Sequence, residues 1–265
     1  MSKDTVVSDI IGKKIFFLYP SVAVQNKIIA ELAQQEYEVY VIKDKDALRR
    51  KLKKYPDSVV FVDINEEMAE KDWEPWITGI MTDPATEKVS VGIVTPNDDE
   101  LIKRKYLMSV KVPCGYTVLK FDLEKAVTHI FEILQSINAK GRRKYIRATM
   151  DRDSNTTINL PYHGQFINGL VKDISVVGFS CILDGDPDIT KNALIKDIQV
   201  KLQSFLLKVE GIVFGSRIDG KEKVYVFLFS QRINPDVRIK IRKYIQNNLQ
   251  LKMDAEMAVK EARKS

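Results

Sequence analysis

Two short clusters hold the residue types best suited to gripping an anionic molecule. The run Arg142-Arg143-Lys144-Tyr145-Ile146-Arg147 contains an R-x-x-x-R pair, Arg143 and Arg147, which Arg142 extends. Further along, Asp173-Ile174-Ser175-Val176-Val177-Gly178 forms D-x-S-x-x-G. A guanidinium is planar and always charged; it binds phosphate oxygens or a base edge bidentately and stacks on rings with its face. Two guanidiniums four residues apart on a flexible segment can wrap one ligand. A carboxylate such as Asp173 accepts hydrogen bonds, the Ser175 hydroxyl both donates and accepts, and Gly178 permits a tight turn and close approach. Taken separately, each motif has a plainer reading. The arginines could be a solvated charge run in a basic linker, and D-x-S-x-x-G an Asx-type turn between strands.

The elements that must position these residues fall into two halves. At 265 residues, two domains are the default expectation. Before the arginines, short apolar runs alternate with helical patterns. Strands are expected at Lys14–Tyr19, Glu38–Ile42, Ser58–Val62, Val89–Val94 and Tyr116–Leu119. Helical faces come from Val24, Ile28 and Leu32, from Ala47, Leu48 and Leu52, and from Ala126, Val127, Ile130 and Leu134 behind an Asp122 cap. Five strands alternating with helices predict an α/β, doubly wound, flavodoxin-like parallel sheet, whose sites lie at the carboxyl ends of its strands. Trp73 and Trp76, three apart, could anchor a partner if exposed, but core packing is the commoner use of such a pair.

From Thr157 the period changes to two. Ile198–Gln203 alternates, Phe166–Val171, Phe179–Leu183 and Val224–Phe229 read as strands, and Asp219-Gly220 signals a hairpin with both positions tolerating positive φ. An all-β barrel is expected. Asn234-Pro235-Asp236 then opens a helix burying Val237, Ile241, Tyr244, Ile245 and Leu249.

R-x-x-x-R followed by D-x-S-x-x-G at the head of a strand-rich segment resembles the PilZ family, bacterial receptors for cyclic di-GMP built as an antiparallel barrel with a following helix. The resemblance covers about Gly141 to Leu251. It implies the domain division 1–138, a receiver-like α/β domain; 139–251, a PilZ barrel with its linker clamp; and 252–265, a charged tail, either a helical extension or a frayed end. It also implies that Arg142, Arg143, Arg147, Asp173, Ser175 and Gly178 bind cyclic di-GMP. Arginines would take phosphates and guanine edges, and Asp173 the guanine N1–H and N2–H2.

In the first half, Asp63, Thr95 and Lys120 end the third, fourth and fifth strands. They resemble the phospho-acceptor aspartate, switch hydroxyl and lysine of response-regulator receivers. The family's acidic pair after the first strand is replaced by Leu18-Tyr19-Pro20, and Phe121 follows the lysine in place of proline. Without those oxygens a hard cation lacks ligands. A pseudo-receiver serving as a partner-binding or dimerising module is expected, with Asp63 as a possible phospho-acceptor and an ordinary strand-end turn residue as the plainer reading.

Bulk composition narrows the rest. Cys114 and Cys181 fall in different halves, and His129 and His163 are scattered, so neither a disulfide nor a soft-ligand metal site is expected. The formal net charge of +6 permits an anionic partner. No basic stripe interleaved with aromatics supports nucleic acid as that partner. No apolar run is long enough to span a bilayer, and Met1–Asp9 does not read as a leader, so a cytoplasmic location is expected. With no nucleophile–base pair or glycine-rich phosphate loop, an enzyme is not expected, and no cofactor is needed beyond the ligand cyclic di-GMP. The expected mechanism is ligand-driven rearrangement through a mobile Gln135–Arg142 segment, acting on an unknown downstream protein. The alternatives are a ligand-independent PilZ-like adaptor and a phosphorylation-controlled response regulator acting through Asp63.

Overall fold

The computed structural model describes residues 12–119, 123–150, 155–203 and 205–258. They form two compact units, one built from the chain up to Lys144 together with the residues from Gln250 onward, the other from Tyr145–Leu249.

In the first unit β1 (Ile15–Leu18), β2 (Val39–Ile42), β3 (Val59–Val62), β4 (Ser90–Thr95) and β5 (Tyr116–Val118) form one parallel sheet in the order β2-β1-β3-β4-β5. That is the flavodoxin-like order of a doubly wound sheet. The inner strands β1 and β3 are apolar along their whole length because both faces are covered: Ile15, Phe16, Phe17 and Leu18 are all buried. The crossovers are α1 (π-helical Val24–Ile29 running into α-helical Ala30–Gln34), α2 (Lys45–Leu52), α3 (Glu70–Thr82), α4 (α-helical Glu100–Arg104 running into π-helical Lys105–Val110) and α5 (Leu123–Ser136). Val24, Ile28 and Leu32 of α1 share one core with Val127, Ile130 and Leu134 of α5 and with Ile15, Phe17, Val59 and Phe61 of the sheet. Asp44 caps α2 through its carboxylate, which accepts from the amides of Asp46 and Ala47. The Asp122 cap expected for α5 lies outside the described residues.

Helix α3 runs straight through Pro75, whose ring nitrogen has no hydrogen to offer the carbonyl a turn earlier. Packing outweighs that loss: Trp73 and Trp76 are both buried, edge to face with centroids 5.5 Å apart. The tryptophans are core, not an exposed anchor.

In the second unit β6 (Ala148–Thr149), β7 (Thr156–Tyr162), β8 (Gln165–Ser175), β9 (Gly178–Leu183), β10 (Leu194–Leu202), β11 (Phe205–Asp219) and β12 (Glu222–Phe229) are antiparallel. The order β8-β7-β10-β11-β12-β9 closes through β8–β9 into a six-stranded barrel, and β6 adds to the end of β8. Bulges in β8, β10 and β11 supply the bending that closure demands. Inward residues, including Ile158, Val171, Phe179, Ile198, Val213 and Phe227, make one core. Ile241, Tyr244 and Ile245 of α6 (Pro235–Ala258) pack against it. The Asn234 side chain accepts from the Asp236 amide and starts that helix.

One local expectation needs correction. The β11–β12 loop is Gly220-Lys221, since Asp219 already pairs with Glu222; only Gly220 takes positive φ, +65°, as in a type II′ turn. The β7–β8 hairpin, which no dipeptide announces, turns at His163 (φ +50°) and Gly164 (φ +77°), a type I′ pattern. Beyond Leu251, residues 252–258 continue α6 as helix, and from Gln250 onward the chain belongs to the first unit. Gln250 hydrogen-bonds both backbone groups of Val41 at 2.9 Å, and the Glu256 carboxylate accepts from Lys54 and from the Tyr55 hydroxyl, each at 2.9 Å. No described helix is long and apolar enough to cross a membrane.

Candidate functional site

The site is assembled by strand register. Strand β8 carries Asp173 and Ser175 two residues apart, on the same outer face, while Ile174 between them points into the core. Across the ladder, β9 alternates the same way, with Phe179 and Cys181 in the core and Ser180 outward. A bulge between Val171 and Asp173 resets the pairing so that Asp173 sits opposite Ser180. The Ser180 hydroxyl donates to Oδ2 of Asp173. On the other carboxylate oxygen, Nη1 of Arg147 lies 3.2 Å from Oδ1. Arg147 immediately precedes β6, whose pairing Thr149↔Asp173 carries it over this part of β8. The guanidinium is about half exposed and the carboxylate mostly covered, side-chain exposures of 45% and 16%.

Ser175 and Gly178 build the turn beside Asp173. They pair with each other and bracket the two-residue Val176-Val177 turn between β8 and β9. The Ser175 hydroxyl donates to the Gly178 carbonyl at 3.1 Å and accepts from the Val177 amide at 3.4 Å, pinning the turn. Neither valine takes a positive φ, so this is not one of the primed turns that suit hairpins unaided. The Phe229 amide donates to the Val177 carbonyl and pulls the turn against β12. There Gly178 is required: a Cβ on it would land on the carbonyl oxygen of Phe227.

Arg142 and Arg143 are exposed and make no hydrogen bond or ion pair among the described residues. They lie in the four-residue stretch between Lys140 and Tyr145. Of the Gln135–Arg142 segment expected to be mobile, the part up to Lys140 is hydrogen-bonded within the first unit. The Lys13 amide donates to the Ala139 carbonyl at 2.8 Å, the Ala139 amide to Leu134, and Lys140 bridges to Gly12. A side chain on Gly12, whose φ is +94°, would meet the Gly141 nitrogen at 2.7 Å. On the other side, Tyr145 and Ile146 pack against the barrel core.

In the first unit, Asp63 and Thr95 do end β3 and β4 and both are buried. Lys120 and Phe121 lie outside the described residues. Burial pushes the Asp63 carboxyl up to about 6, and the Glu66 charge adds to the rise, while the Asn65 amide hydrogen bond opposes it. Thr95 turns its hydroxyl to Oδ1 of Asn65 at 3.0 Å. After β1, where a receiver would present its acids, Tyr19 folds back with φ +53° and packs edge-on to Trp73, ring centroids 6.1 Å apart. A divalent cation requires several oxygen ligands. Among the described residues no three of His, Cys, Asp or Glu gather to hold one. The groups around Asp63 do not fit the magnesium site of a receiver.

Sequence reasoning missed Ser180 and Asn65. Nothing in a lone Ser or Asn signals a partner; Ser180 is identified only by the β8–β9 register, Asn65 only by its nearness to Thr95.

No family model matches the chain, and no curated protein matches it. Solved structures do. The chain is similar to YcgR from Escherichia coli in complex with c-di-GMP (15% identity, 44% of this chain and 48% of that one, TM-score 0.37). It is similar to the K. pneumonia MrkH–c-di-GMP complex (17%, 44% of this chain and 56% of that one, TM-score 0.38). It is similar as well to a signal receiver domain of a histidine kinase from Clostridium thermocellum (17%, 47% of this chain and 98% of that one, TM-score 0.39). The matches to YcgR and MrkH span about half of those chains.

Proposed function

We propose that this chain is a cytoplasmic, non-enzymatic receptor for cyclic di-GMP, a PilZ-type barrel joined to a receiver-like domain that has given up receiver chemistry. The observation that supports it is the pairing of Arg147 with Asp173 on the outer face of the barrel. The two halves of the motif, 26 residues apart in sequence, meet at one spot. Cyclic di-GMP offers two phosphates and two guanines. Arg143 and Arg147 clamp it, Arg142 extends the clamp, and Asp173 accepts from a guanine N1–H and N2–H2. Ser175 and Gly178 contribute by shaping the turn beside Asp173. Arg143 is four residues from Arg147, a span of at most about 14 Å, so both can reach one ligand by chain length alone.

The ligand exchanges the linker's solvation and the Arg147–Asp173 pair for contacts to itself. An equilibrium moves only by the ligand's difference in affinity for the two states. Ordering Arg142 and Arg143 on the ligand provides that difference, and the receiver-like unit presents the outcome to a downstream protein. Two buried, unpaired cysteines suit a reducing compartment.

Titration calorimetry with cyclic di-GMP tests the reading. Wild type should release heat with a saturable isotherm, and Arg147→Ala should bind about five- to 150-fold more weakly, as loss of a bidentate contact worth about 1–3 kcal/mol implies. Wild-type protein with no heat and no ligand retention would end the proposal. Small-angle scattering with and without ligand tests the rearrangement separately, and identical curves would remove it.

A further inference from the structure

We infer that Ser180 is the positioning residue for the ligand-reading carboxylate of Asp173, an assignment that rests on the cyclic di-GMP reading above. Ser180 lies outside D-x-S-x-x-G, on the next strand. Its side chain is almost wholly buried, 2% exposed, though it points to the outer face of the barrel. Its hydroxyl donates to Oδ2 of Asp173. A buried hydroxyl satisfied by a carboxylate is an orienting contact: it fixes one oxygen and thereby the plane of the group.

The two partners of Asp173 are mechanically unequal. Ser180 sits mid-strand in β9, hydrogen-bonded on both sides, opposite Asp173 on β8 and Val226 on β12. Arg147 stands outside any strand, just before the two-residue β6. When a phosphate or guanine draws Arg147 away, Oδ1 becomes available to the ligand while Oδ2 stays held. A carboxylate left to rotate would lose the alignment that accepting from N1–H and N2–H2 together requires. The bulge at Val171/Asp173 makes this possible, since regular pairing would set Lys172 opposite Ser180. Ser180 therefore holds the acceptor still while the arginine changes partners.

Four variants decide it: Ser180→Ala, Ser180→Cys, Ser180→Thr and Asp173→Ala, with Ser180→Ala also combined with Asp173→Ala. The cysteine keeps the volume and removes the strong donor, so it answers for the site if alanine impairs folding. Calorimetric titration with cyclic di-GMP should show about tenfold weaker binding for Ala and Cys, and recovery for Thr, whose hydroxyl restores the donor. The loss should vanish in the Asp173→Ala background, because coupled residues are non-additive. Wild-type affinity in both Ala and Cys, or the same loss without Asp173, overturns the inference. Crystal structures of ligand-free wild type and Ser180→Cys give a readout independent of binding. The Asp173 carboxylate should rotate in the variant, and an unmoved carboxylate overturns the assignment even if wild type binds no ligand. A wild type that binds nothing while the carboxylate does rotate sinks the receptor reading and leaves Ser180's role standing.

Discussion

Arg147 and Asp173 form an ion pair, Nη1 to Oδ1 3.2 Å, on the outer surface of the barrel. A half-exposed pair of this kind is worth about 0–1 kcal/mol to stability. It is weak enough for a doubly charged nucleotide to displace. Arg147→Ala should therefore weaken cyclic di-GMP binding by about 1–3 kcal/mol while moving the unfolding free energy of the barrel by about 1 kcal/mol or less. Calorimetry and urea denaturation on the same preparation separate the two.

Gly178 behaves in the opposite way. Its replacement by alanine drives a Cβ into the Phe227 carbonyl, a backbone atom that cannot step aside. Gly178→Ala should destabilise the barrel by about 3 kcal/mol, an overpacking cost, read as a lower denaturation midpoint. Any accompanying loss of ligand binding then reports an unseated β8–β9 turn. Preserved stability in this variant would contradict the turn geometry.

The first unit should lose stability as pH rises. The Asp63 carboxyl is raised to about 6 by burial, then by the Glu66 charge. The folded state therefore holds this proton more tightly than the unfolded chain, whose aspartates titrate near 3.9. Between about pH 4 and pH 6 the folded form binds more protons, so unfolding free energy falls through that window and stays lower above it. A shift of about two pH units bounds the effect at about 3 kcal/mol. Asp63→Asn should raise the melting temperature at pH 7.5 relative to wild type, with the gap closing below about pH 4. Equal melting curves at both pH values would show that the carboxyl is not desolvated.

Gln250 is predicted to guard an edge. Strand β2 ends the parallel sheet, and the Gln250 amide pairs both backbone groups of Val41 there, as a neighbouring strand would. Gln250→Ala should cost about 1–2 kcal/mol locally and speed hydrogen exchange at the Val41 amide. Exchange as slow as in wild type would mean the edge is protected by something else.

Asp63→Asn should leave cyclic di-GMP affinity unchanged within about twofold, because the aspartate belongs to a different unit from Arg147 and Asp173 and shares no hydrogen-bond partner with them. Calorimetry on this variant checks it, and a large loss would reveal coupling between the two units.

What could be read from the residues alone was whatever is written in short-range pattern. All-apolar tetrads such as Ile15–Leu18 marked strands covered on both faces, period-two alternation marked the barrel strands, and Asn234-Pro235 marked a helix start. The motif residues stood out because arginine and aspartate spacing is itself a local property. Contacts across the ladders could not be read this way, since they depend on register, and a slip of one residue moves every side chain to the opposite face. The bulge at Val171/Asp173 sets Ser180 against Asp173, the approach of β12 makes Gly178 obligatory, and Trp73 draws Tyr19 into the place a receiver reserves for acids. The Ser175 hydroxyl serves the turn because Gly178 faces it across that turn. Chain anchoring was likewise hidden: Gln135–Lys140 lacks any strong pattern, yet Gly12 allows its backbone to lie against the start of the sheet. Local propensity chose the elements, and long-range pairing chose which side chains would meet.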